Sequence, residues 1–108
     1  MRSAILGLIL LSILALPSTA FADNVSDAKK LIGQNRLRGA ADVLKKVTEK
    51  NKKDAKAWAL LADTALKFSD LETAHKAAVN ALELDDEDPE NWMTLGKVAF
   101  ERGVAAVS

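Results

Sequence analysis

The chain contains no cysteine, so a disulfide, a thiolate metal site and a lipid-bearing N-terminal cysteine are all excluded. It has a single histidine, His75, and one imidazole without a thiol beside it cannot assemble a zinc site. Its five glycines form neither a phosphate-cradling loop nor the sharp turn that presents a nucleophilic serine. Ser69, His75 and a carboxylate therefore do not amount to a hydrolase triad. The acidic run Asp85-Asp86-Glu87-Asp88 lacks the central glycine and distal glutamate of a calcium loop and suits caps and turns better. No enzyme, metal or cofactor is expected. With a formal net charge of +0, nothing recommends nucleic acid or an anionic membrane as a partner. Beyond Asp23 there is one proline, Pro89, and no alternating or aromatic β-rich stretch, which leaves no basis for a sheet.

What is present begins with a leader. Arg2 precedes an apolar run over residues 4–16, interrupted only by Gly7 and Ser12, and Pro17 closes it ahead of Ala20-Phe21-Ala22. A run of about 13 residues is short of the roughly 20 that cross a bilayer. Residues 1–22 are thus predicted to be a secretory signal cut after Ala22, with no stable membrane insertion afterwards; retention as an anchor is the competing reading. This style of signal, followed by a chain without disulfides, suits a bacterial periplasm. Asn24-Val25-Ser26 matches the glycosylation triplet but carries little weight there. Cleavage leaves 86 of the 108 residues, a small domain that packing between helices alone must hold.

Charge is unevenly spread. Residues 23–56 hold 10 basic and 5 acidic side chains, and residues 57–108 hold 4 and 10. Lysines 45, 46, 50, 52, 53 and 56 contrast with Asp85, Asp86, Glu87, Asp88 and Glu90. Solvated turns and helix-end preferences account for this; a charge-steered docking surface is the alternative.

Apolar residues recur at spacings of three and four from residue 24 onward, which predicts an all-α fold. Asp54 is placed to cap a helix over 55–68. Ser69-Asp70-Leu71-Glu72 has the form of a capping box opening a helix that runs to about residue 84. Asp88-Pro89-Glu90 opens another, expected to run to about Arg102 and stop at Gly103.

Trp58 and Trp92 stand 34 residues apart, and Leu61-Ala62 and Leu95-Gly96 follow them at matching places. Together with Ala74, Ala78, Ala81 and Leu82-Glu83-Leu84-Asp85, this pattern resembles the tetratricopeptide repeat. The resemblance implies a right-handed α-α superhelix, a solenoid of antiparallel helix pairs. Residues 23–53 would be a degenerate first pair, 54–87 a second repeat, and 88–108 the first helix of an incomplete third. Stepping back 34 places from Ala74, Ala78 and Ala81 gives Ala40, Leu44 and Val47, hence a helix over 37–50 with a partner over 25–34. In that partner Asn24, Asp27 and Ala28 replace the tryptophan, leucine and small residue, which makes it the least secure element. Ala62 and Ala74 are expected where helices approach closely, with Trp58 and Leu61 filling the space beside them. The break in register after Gly103 has three readings: a terminal capping helix, a partner that supplies the missing cover, or a shortened relative of a longer repeat protein.

The family binds its ligands on the concave side, formed by the first helix of each pair. Carried over, its ligand-facing positions are Val25, Lys29 and Ile32; Lys56, Ala59, Asp63 and Leu66; and Glu90, Met93, Lys97 and Phe100. Such a mixed groove would suit an extended peptide or a partner helix, and Leu66 and Phe100 are the most pointed candidates. The basic clamp some relatives use for a C-terminal carboxylate is missing, because Val25, Leu60, Glu90 and Thr94 fall at its places and only Lys29 has the right charge. The resemblance therefore implies a non-catalytic scaffold of the cell envelope with a protein or peptide partner. The alternative is head-to-tail self-association, the C-terminal helix of one copy meeting the basic first repeat of another.

Overall fold

Five α-helices account for most of the computed structural model, which describes residues 24–107: α1 (Val25–Gly33), α2 (Leu37–Lys50), α3 (Ala55–Lys67), α4 (Leu71–Leu84) and α5 (Pro89–Val107). The predicted signal and its cut after Ala22 lie outside the described residues. Among those described there is no strand and no helix long and apolar enough to cross a membrane. The connections are short, so successive helices lie side by side and antiparallel. Contacts run from each helix to the next, and α3 also touches α5.

Small residues set the spacing. Among the described residues, ten of the thirteen buried apolar ones are alanines, so helix axes approach closely and bulk is concentrated in Leu44, Leu61 and Val98. Ala62 and Ala74 are both fully buried, as the close-approach reading requires. The larger cluster joins Ala28, Ala41, Leu44, Leu61, Ala62, Ala77 and Ala78, with Trp58, half-buried, against it. A smaller one joins Ala65, Ala74 and Val98. The buried hydroxyls of Thr48 and Thr64 donate to Leu44 O at 3.0 Å and Leu60 O at 2.7 Å within their own helices. No buried side-chain polar atom among the described residues lacks a partner.

The turns repeat with the same 34-residue period as the tryptophans. Between α2 and α3, Asn51 Oδ1 accepts from Lys53 N, Asp54 Oδ1 from Ala57 N, and the indole Nε1 of Trp58 donates to Lys52 O at 2.9 Å. Between α4 and α5, Asp85 Oδ1 accepts from Glu87 N, Asp88 Oδ1 from Glu90 N, and Trp92 Nε1 donates to Asp86 O at 2.7 Å. The shorter turns match as well. Asn35 and Ser69 are the two non-glycine residues with positive φ among those described, at 59° and 64°. Each sits in a Schellman closure, with Arg36 N donating to Leu31 O and Asp70 N to Ala65 O.

Two expectations about helix ends are corrected. The cap of α4 is Asp70, whose side chain accepts from Thr73 N, and not Ser69. Ser69 instead occupies the left-handed turn that closes α3. A β-carbon is disfavoured in that conformation, so Ser69→Gly is expected to raise the urea midpoint of unfolding, by about 0.5–1 kcal/mol of stability. A drop would show that the hydroxyl matters there. Secondly, α5 does not stop at Gly103 but continues to Val107. Gly103 lies 34 places beyond Ser69, yet no described element folds back on α5 to compensate for breaking its helical hydrogen bonds, so the helix runs on.

Candidate functional site

The first helix of each successive pair contributes one wall of a hollow of about 480 Å³. Val25 and Lys29 come from α1, Lys56, Ala59, Leu60 and Asp63 from α3, and Glu90, Asn91, Met93, Thr94 and Lys97 from α5, with Asp88 at its cap. Spacings of three and four put these residues on one face of each helix, and the alanine-lined contacts between helices bring the three faces together. Eight of the sequence-derived groove residues meet here: Val25, Lys29, Lys56, Ala59, Asp63, Glu90, Met93 and Lys97.

Ile32, Leu66 and Phe100 do not line this hollow. Leu66 packs against the buried cluster of Ala65, Ala74 and Val98, so its bulk serves the core between α3, α4 and α5. Phe100 is 70% exposed. Four lining residues were not in the sequence-derived set: Leu60, Asp88, Asn91 and Thr94. A signal existed for two of them, since Leu60 and Thr94 are 34 residues apart and occupy equivalent places in successive copies. Asp88 is legible in the sequence only as a helix cap. Asn91 stands where the preceding copy has Ala57, and only packing explains it: its Nδ2 donates to Asp85 O at 2.9 Å and to Ala81 O at 3.4 Å, tying α5 to the end of α4.

The lining is apolar at Val25, Ala59, Leu60 and Met93, and it also carries three lysines, Lys29, Lys56 and Lys97, and three carboxylates, Asp63, Asp88 and Glu90. Asp63 Oδ2 is 3.4 Å from Lys67 Nζ, both side chains about half exposed, a pair of small energetic weight. Met93 is 54% exposed. Such a surface can seat an apolar side chain and orient the charges around it; no described residues supply the three His, Cys, Asp or Glu ligands that could hold a metal ion. No protein-family model and no curated protein matches the chain.

Proposed function

We propose that this protein is a non-catalytic interaction scaffold of tetratricopeptide-repeat type, exported to the bacterial envelope, which grips a peptide or helix of a protein partner in the hollow of α1, α3 and α5. One observation carries the reading: every second helix turns the same face to one concavity, whose lining combines apolar residues with charges of both signs. The 34-residue recurrence of caps, indole hydrogen bonds and left-handed turns supports stacked, equivalent hairpins. The apolar run of residues 4–16 followed by Ala20-Phe21-Ala22 supports export.

Crosslinking in the native cells followed by mass spectrometry tests both parts. The protein is expected in the envelope fraction with Asp23 as its first residue, joined to one specific protein. Ala59→Arg and Met93→Glu are expected to weaken that crosslink about tenfold, the effect of roughly 1.4 kcal/mol of lost binding, with helicity by circular dichroism unchanged. Undiminished crosslinks in both variants would eliminate the groove as the binding surface, and a retained Met1 would eliminate the cleaved signal.

A further inference from the structure

Helix α5 is apolar on two opposite sides. One side buries Asn91 and Val98 against α3 and α4. The other exposes Trp92, Phe100, Val104 and Val107 at 56, 70, 46 and 87%, in line with exposed Gly96, Ala99 and Gly103. Spacings of four, three and four keep Trp92, Gly96, Ala99 and Gly103 on one seam. A β-carbon added at Gly96 or Gly103 would meet nothing within 4 Å, so the seam is open.

The preceding hairpin shows what fills the equivalent seam. There α4 covers α3, and Trp58 packs against a cluster that includes Ala77 and Ala78. The covering helix presents Ala74, Ala77 and Ala81, all buried. Gly96, Ala99 and Gly103 repeat that spacing of three and four. Helix α5 therefore carries both parts of the joint: the large residues of an α3-type face and the small-residue groove of an α4-type face. Of the large apolar residues exposed among those described, none lies on α1, α2 or α3, and Leu84 is alone on α4. The best apolar match for the outer face of α5 is another α5.

We propose that α5 pairs antiparallel with α5 of a second copy across a two-fold axis, Phe100 and Trp92 of each entering the glycine-alanine seam of the other. A parallel arrangement would bring Asp85, Asp86, Glu87, Asp88 and Glu90 of both copies together at one end; the antiparallel one separates them and opposes the helix dipoles. Large aromatic side chains cover 150–250 Å² each when fully buried, so the face amounts to on the order of 500 Å² per copy. The pair then covers about 1,000 Å², the lower bound for a specific interface. Association is accordingly reversible. This inference is independent of the groove reading, because Phe100, Gly103 and Val107 lie outside the hollow.

Sedimentation equilibrium of the purified chain over a concentration series is the test. The expected result is a monomer-dimer equilibrium that added salt does not weaken. Phe100→Glu should raise the dissociation constant about tenfold or more while leaving helicity unchanged, since the side chain is already exposed. Ala99→Cys, the sole thiol in such a variant, should yield a disulfide-linked dimer on mild oxidation, and Lys53→Cys should not. A monomer at every concentration, or a dimer indifferent to Phe100→Glu, overturns the proposal. So does a dimer that salt and Lys53→Glu dissolve, which would assign the contact to the basic end of the molecule.

Discussion

Leu44→Ala is expected to lower the free energy of unfolding by about 3 kcal/mol, within the range for leucine-to-alanine changes at buried sites. Leu44 is fully buried and is the largest of the wholly enclosed side chains among the described residues. It belongs to the cluster that holds α1, α2, α3 and α4 together, with Ala28, Ala41, Leu61, Ala62, Ala77 and Ala78 around it. Five of those six residues are alanines, which have no rotamers with which to close a cavity, so relaxation rests mainly on helix shifts. A domain of this size has a total stability of about 4–12 kcal/mol, and the variant should unfold at a much lower urea concentration with a similar slope. A midpoint change corresponding to less than about 1 kcal/mol would mean that the helices slide together freely and that the close-packed description of this core is wrong.

The helices were legible because their signals are local and mutually consistent. Residues 37–50 could be placed by stepping back one period from Ala74, Ala78 and Ala81, and the helix there is Leu37–Lys50. The first helix, doubted because Asn24, Asp27 and Ala28 break the pattern, forms over Val25–Gly33: Asn24 caps it by accepting from Asp27 N, and Ala28 is buried. What escaped depended on backbone conformation or on neighbours. Ser69 looked like a cap by residue type, but its positive φ is decided by closure of the Schellman turn. Gly103 looked like a stop because glycine favours that turn, yet the turn forms in the two earlier copies only where a following helix packs back. Eight of the eleven groove positions line one hollow because their residues repeat along three helices. Leu66 lies on the core side because a large apolar residue at the edge of a helix face can turn either to the concavity or to the core, and the small residues Ala65 and Ala74 leave room there.

Trp58→Ala and Trp92→Ala, compared at low protein concentration, should differ in their effect on stability although the two indoles make the same hydrogen bond. Each Nε1 donates to the carbonyl six residues earlier, at 2.9 and 2.7 Å. Water can replace either exposed bond, so its loss contributes little to the difference. The difference is cover. Trp58 packs on the main cluster beneath α4, whereas Trp92 is 56% exposed. Fully buried tryptophans cost 3–5 kcal/mol when cut to alanine, so a half-buried Trp58 should cost about 2–3 kcal/mol and Trp92 about 1 kcal/mol or less. Chemical denaturation followed by circular dichroism measures both, and equal costs would show that α4 contributes nothing at Trp58. Raising the concentration adds a second discrimination. If α5 pairs with its own copy, the uncovered indole gains a neighbour, and the penalty for Trp92→Ala should grow with concentration while that for Trp58→Ala stays fixed. The repeat built the same slot twice, and what lies over it decides how much each tryptophan stabilises the fold.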